Sequence, residues 1–163
     1  MPLTEFVVVV HAVVGVVFVA GLIGRWIVLG AAAHANDLQA IRTLLDVTGP
    51  FERIVIRGSA GVGLLGLAAA LVQGRPFLGP LQGVGIDWLF VSVILFLSIL
   101  PLVPLVFLPR GRVFAAALED AGLRCEYTDA LHRAFHDPVT RAAHVYELGA
   151  VTVILVLMFT KPF

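Results

Sequence analysis

The stretch FVVVVHAVVGVVFVAGLIG, residues 6–24, decides the fold class of this chain. It contains no Asp, Glu, Lys or Arg, and His11 is its one titratable side chain. A helix of about 20 apolar residues crosses a bilayer core of roughly 30 Å. Because hydrocarbon offers backbone groups no hydrogen bonds, the segment must satisfy them internally, and we predict a transmembrane helix here.

Three further apolar runs follow, and together they predict spans at about 6–29, 52–73, 86–108 and 142–160 in a single integral membrane domain, residues 1–163. The composition agrees, with 60% apolar and 13% charged residues and a mean hydropathy of +1.00. Soluble domains carry about 45–50% apolar and about 25% charged residues. The predicted fold class is therefore all-α, a four-transmembrane-helix bundle.

The segments between the spans predict short interfacial amphipathic helices. One is DLQAIRTLLDV, residues 37–47, with an apolar stripe along one side, and Pro50 after it suits the first residue of the second span. RVFAAALEDAG, residues 112–122, and YTDALHRAF, residues 127–135, read in the same way. The pair Asp137-Pro138 predicts the start of the last helix.

The distribution of basic residues predicts the orientation. The two connections on one side carry seven arginines, whereas the other side has only Arg75 and Lys161. The seven are Arg42, Arg53, Arg110, Arg112, Arg124, Arg133 and Arg141. By the positive-inside rule these connections are cytoplasmic and both termini extracytoplasmic. Eleven basic residues balance eleven acidic ones, which excludes a basic footprint for nucleic acid. The expected partners are the lipid bilayer and a second copy or another subunit of a membrane complex.

His11 is the first polar residue whose presence the predicted four-span membrane fold does not explain. Helical spacing puts it on one face with Gly15, Phe18, Leu22 and Arg25. One interpretation is a neutral imidazole that donates or accepts a hydrogen bond between helices. The other is a metal or haem ligand, with Met158 at similar depth as a second axial ligand and Lys161 or Arg25 near the haem propionates.

Two more groups of residues attract attention. The first is a buried polar cluster in the cytoplasmic half, in which Glu147 should pair with Arg57 or Arg25 or stay protonated. The cluster either fixes helix register or serves as a proton relay or substrate-binding site. Its members are Arg25, Arg57, His144 and Glu147. The second is a small-residue face of the second span, which favours close helix packing within one subunit or between two copies: Ser59, Gly63, Gly66 and Ala70.

Several segments together resemble one bacterial family. They are the first helix with His11 and Gly15, RGSAGVGLLG at 57–66, DWLFVSVILFL at 87–97 and the terminal LMFTKPF. The chain resembles the domain-of-unknown-function 2269 family of predicted integral membrane proteins, and more distantly the four-helix membrane protoporphyrinogen oxidases and copper-resistance D-type domains. The resemblance implies a bacterial inner-membrane location and a b-type haem, with His11 and the Lys161-Pro162 ending as the positions that carry over.

Three functional hypotheses remain open. The first is a haem-binding, redox-active membrane protein with His11 as axial ligand. The second is a non-catalytic membrane protein, either self-associating or an accessory subunit, suggested by the small-residue face. The third is proton-coupled transport at Glu147 with Arg57.

Overall fold

The computed structural model describes residues 2–35 and 37–162, and all the regular structure in them is helical. The α-helices are α1 (Leu3–His34), α2 (Leu38–Val72), α3 (Trp88–Ile99), α4 (Leu108–Arg124), α5 (Asp129–Phe135) and α6 (Pro138–Thr160). A 3₁₀ turn, Gly79–Gln82, precedes α3, and a π-helical segment, Val103–Phe107, joins α3 to α4.

The described residues contain four helical stretches long and apolar enough to cross a membrane: Leu3–His34, Leu38–Val72, Trp88–Arg124 and Asp129–Thr160. The prediction of an all-α protein with four spans is confirmed. Outward-facing apolar side chains agree with lipid as the surrounding medium, because Val16, Leu64 and Phe159 are 70%, 70% and 85% exposed.

The core lies where the four spans meet. Phe18 and Leu22 of α1 pack with Val55 of α2, Ile99 of α3 and Val151 of α6. The α1–α2 pair is antiparallel and close, since a Cβ on Gly66 would meet the His11 ring and a Cβ on Gly58 would meet Phe18. Small residues allow this approach of two backbones.

The prediction that Pro50 begins the second span is wrong. The helix starts at Leu38, capped by the Asp37 carboxylate, and Pro50 lies inside it. A proline removes one helical hydrogen bond. Packing on both sides outweighs that loss, because Ile41 and Thr48 are buried before Pro50 and Phe51 contacts Gly24 of α1 after it. Residues 37–47 are therefore not a separate interfacial helix.

The third span continues through the π-helical segment into α4, so residues 112–122 also belong to a longer helical stretch. Pro101 and Pro104 explain the change of helix type, because neither nitrogen can donate a hydrogen bond. Of the three predicted short helices only the last is separate, as α5, which packs its buried Leu131 against Ala117 and Ala121 of α4.

The predicted start of the last helix is confirmed. Asp137 caps α6, its carboxylate accepting hydrogen bonds from the backbone N–H and hydroxyl of Thr140, and Pro138 is the first helical residue. Arg110 of α4 donates to the same carboxylate at 2.8 Å. This contact ties the first turn of α4 to the start of α6.

Candidate functional site

The most concentrated set of polar contacts between spans lies around Arg25 on α1. The Arg25 guanidinium donates to Glu147 Oε2 of α6 at 2.5 Å and lies 3.4 Å from His144 Nδ1. The ring of Phe107 stacks on His144 with centroids 4.7 Å apart, and the Arg25 Cζ is 5.5 Å from the Phe107 centroid. We call Arg25, Phe107, His144 and Glu147 the Arg25 cluster.

The Arg25 cluster is shielded from its surroundings. The side chains of Glu147, Arg25 and His144 are 5%, 12% and 17% exposed. An unpaired charge at such a site in a membrane protein is costly, whereas the Arg25–Glu147 pair is neutral as a whole. The geometry therefore favours a carboxylate paired with a guanidinium.

The contacts also indicate the tautomer of His144. A guanidinium can only donate hydrogen bonds, so His144 Nδ1, which faces Arg25, must be the acceptor. The distance from Nδ1 to Glu147 Oε2 is 3.6 Å, too long for a good hydrogen bond. A hydrogen bond from Arg25 to Nδ1 requires the tautomer of His144 that carries its proton on Nε2.

Phe107 is a member of the cluster that the sequence analysis missed. It is the last residue of the π-helical segment, and this segment turns its ring toward Arg25 and His144. The signal was available in Pro101 and Pro104, since π-helical turns are frequent at functional sites. An aromatic face beside a cation is favourable.

Arg57 lies outside the cluster, although the sequence placed it there. It is exposed on α2, beside a trough between α1 and α2, and among the described residues it forms no salt bridge. The reason is rotational. Gly58, the next residue, faces Phe18, so Arg57 is turned to the outside of the bundle.

His11 packs against α2. Its Cε1 lies 3.1 Å from the position that a Cβ on Gly66 would occupy, and its Nδ1 is buried without a hydrogen-bond partner among the described residues. An unsatisfied buried polar atom costs about 1–3 kcal/mol. His11 is thus a polar group within a span whose hydrogen-bonding capacity is not fully used.

Lys161 and Met158 lie near the depth of His11. Arg25 of α1 and Glu147 of α6 are in contact and so lie at the same depth, and the two helices run antiparallel. Fourteen residues before Arg25 is His11 (25 − 14), and fourteen residues after Glu147 is Lys161 (147 + 14), so these two residues also lie at similar depth. Met158 is half-buried.

The Lys161 ammonium lies 5.7 Å from the centre of the Trp88 ring, and the Arg75 guanidinium carbon lies 5.6 Å from the same centre. Trp88 thus gathers two cations at this end, a feature that the sequence did not reveal.

The small-residue face of α2 receives side chains from the same chain at its centre. The Phe96 ring of α3 lies 3.1 Å from the position of a Cβ on Gly63, and Gly66 receives His11. Ala70 is buried, and Ser59 donates to the Ile56 carbonyl. The two glycines therefore serve packing within one subunit, and self-association through this face stays a prediction.

Comparison with known proteins places almost the whole chain in one family. The model of a family described as "Predicted integral membrane protein (DUF2269)" matches residues 5–162. No curated protein and no solved structure matches the chain.

Proposed function

Because this chain belongs to the DUF2269 family of predicted integral membrane proteins, we propose that it acts within the bilayer as a proton-responsive protein, with the Arg25 cluster as its proton-binding contact. The observation that carries the proposal is the buried Glu147 carboxylate, which Arg25 holds and whose Oε2 lies 3.6 Å from His144 Nδ1. Ionisable residues inside spans are rare, and they mark substrate and ion pathways and proton relays, so an intramembrane carboxylate is by default a candidate functional site.

The geometry suggests how one proton would change the contact. A proton on His144 Nδ1 would abolish its acceptor role and place a second cation beside Arg25. Glu147 could then pair with His144 on its own helix instead of with Arg25 on α1. The exchange keeps the carboxylate paired while weakening the contact between α1 and α6.

Phe107 supports this exchange of partners. Its ring faces both His144 and Arg25, so its π-electrons stabilise a positive charge on either side chain. The charged and titratable groups at the contact are Arg25 on α1 and His144 and Glu147 on α6, and the π-helical segment contributes an uncharged ring. Proton uptake would therefore change the distance between α1 and α6.

The proposal is tested by following the α1–α6 distance with pH. Nitroxide labels on the two helices, in a Cys125→Ser background, are measured in nanodiscs between about pH 8 and pH 5, the range in which histidines ordinarily change charge. We expect the distance distribution to shift in the otherwise unaltered protein. His144→Gln, which cannot take up the proton, should abolish the shift.

Glu52→Gln is the matched control, since Glu52 is an exposed carboxylate of α2 outside the cluster. It should retain the pH-dependent shift. A shift that persists in His144→Gln, or no shift in the unaltered protein, would refute the proposal and leave the cluster as a packing contact.

Haem binding at His11 is a second candidate function, favoured by the orphaned Nδ1 of His11. The donor set fits such a group, because the imidazole has a nitrogen to spare and Met158 and the Lys161 cation lie near the same depth. A bound haem would supply one-electron redox chemistry. His11 would hold it, and Lys161 would neutralise a propionate on leaving Trp88.

An absorption spectrum of protein purified from haem-replete cells tests this candidate. We expect a Soret band that His11→Ala removes and that His132→Ala, a change at an exposed residue of α5, leaves intact. A colourless preparation, or a band indifferent to His11→Ala, would contradict haem ligation by His11.

A further inference from the structure

Two arginines on α2 border a trough on the outside of the α1–α2 pair. The trough has a volume of about 340 Å³, and its walls include Val13, Val14, Val17 and Ile54, with Arg53 and Arg57 beside them. Both arginines are exposed, and they are four residues apart, one turn along the same helix face. We call this feature the arginine trough.

The depth of Arg57 makes its exposure unusual. Its neighbour Gly58 faces Phe18, which lies six residues, roughly 9 Å, inside the Gly24 end of the apolar run 6–24. A charged side chain at such a depth requires compensation by a partner or by reaching the interface. Long helical side chains lean toward the N-terminus of their helix, which directs Arg57 toward Arg53.

Charge complementarity identifies the occupant. Among the described residues neither Arg53 nor Arg57 forms a salt bridge, and Arg53 Nε donates to the Gly49 carbonyl at 3.4 Å. Like charges one turn apart on a helix are mildly destabilising, and an anion beside both would relieve that repulsion. The valines lie farther from the Gly24 end of the apolar run, at and beyond the middle of the predicted span 6–29, and offer an apolar surface. A molecule with an anionic head and an apolar tail matches both parts of the trough.

A second copy of this chain is a poorer match. It would need a carboxylate at the depth of Arg57, but Glu147 is 4% exposed and already paired with Arg25, and the exposed Glu52 lies five residues nearer the start of α2. We propose that the arginine trough binds an anionic phospholipid, with its phosphate between Arg53 and Arg57 and an acyl chain along Val13, Val14 and Val17.

The experiment is native mass spectrometry of the detergent-solubilised full chain titrated with phosphatidylglycerol, or with phosphatidylcholine of the same acyl chains. We expect phosphatidylglycerol to bind tighter by about tenfold or more, because each basic side chain adds to the attraction for an anionic headgroup. The double variant Arg53→Gln/Arg57→Gln should lose that preference. Glycerol phosphate should not compete, since it lacks the chains that the valines contact.

The matched control removes two exposed arginines elsewhere, Arg112→Gln/Arg124→Gln, and should keep the preference. Val17→Trp tests the apolar wall at a position that is 50% exposed, and it should weaken phosphatidylglycerol binding without changing charge. If the double variant fails to fold, Val17→Trp decides the question.

Three outcomes would overturn the proposal. They are equal binding of the two lipids by the unaltered protein, retention of the preference in the arginine double variant or of full phosphatidylglycerol binding in Val17→Trp, and competition by glycerol phosphate, which would indicate a free-phosphate site. A dimer that disappears in the arginine double variant would assign the trough to a second copy instead.

Discussion

Single residues within the spans have different roles according to the direction in which they point. Arg25 and Arg57 are both arginines of apolar runs, yet Arg25 pairs with buried Glu147 and Arg57 faces outward. Glycines differ in the same way. A Cβ on Gly21 would lie 2.6 Å from Ile54 Cγ2, whereas a Cβ on Gly15 would have nothing within 4 Å. The consequence of a substitution therefore depends on the facing helix.

Gly21→Ala should accordingly destabilise the protein by about 1–3 kcal/mol, because the added methyl group overpacks the α1–α2 contact. Gly15→Ala, on the same helix, should be neutral or stabilise by up to about 1 kcal/mol, since alanine is the better helix former. Unfolding of both variants in detergent, followed by circular dichroism, measures the difference. Equal stability of the two would show that the helices separate easily at Gly21.

At the scale of helices, two predicted helix starts had opposite outcomes. Asp137-Pro138 marked the start of α6 correctly, because the Asp137 carboxylate accepts a hydrogen bond from the backbone N–H of Thr140, three residues later, and this interaction is local. The prediction from Pro50 was wrong, since the packing of α2 on either side lets the helix continue through it.

Hydrogen bonds from Thr140, foremost that of its hydroxyl, and the charge of Arg110 lower the pKa of Asp137 from its ordinary value of 3.8.

Asp137→Asn should therefore reduce stability at neutral pH, by about 1 kcal/mol as for other helix caps. A carboxyl whose pKa is lower in the folded state stabilises fully above its ordinary value and loses that contribution as the pH falls below it. The difference from the unaltered protein should shrink below about pH 4. Thermal unfolding in detergent at several pH values checks this, with exposed Asp129→Asn as the control.

At the scale of the whole molecule, four helical stretches alternate in direction. The start of α1 and the end of α6 therefore lie on the same side. The connection between α4 and α5 lies on the other side and contains Cys125, the one cysteine of the chain, which is exposed. The arginine distribution predicts that this side is cytoplasmic. The chain therefore carries its own topology probe.

A membrane-impermeant maleimide should leave Cys125 unlabelled in intact cells and label it after permeabilisation. A Cys125→Ser/Glu5→Cys variant, with its thiol near the exposed start of α1, should be labelled in intact cells. The reverse pattern would invert the predicted orientation and leave the four spans unchanged.

Much of the fold follows from the sequence because hydrophobic length and charge act along the chain. The run 6–24 is long enough to cross the bilayer, and the cap at Asp137 depends on residues three positions away. These features need no knowledge of neighbouring helices. The depth of each polar residue follows from them too.

Rotation of each helix about its axis was decided by the tertiary structure alone. The sequence placed Arg25 and Arg57 in one half of the membrane and left both as partners for Glu147. Packing turned Arg25 to α6, sent Arg57 to the outside and let the π-helical segment bring Phe107 to His144. The physical reason is that α1 and α3 are apolar nearly all round and the apolar parts of α2 and α6 carry few polar residues, so the sequence pattern of the spans does not fix which face meets which neighbour.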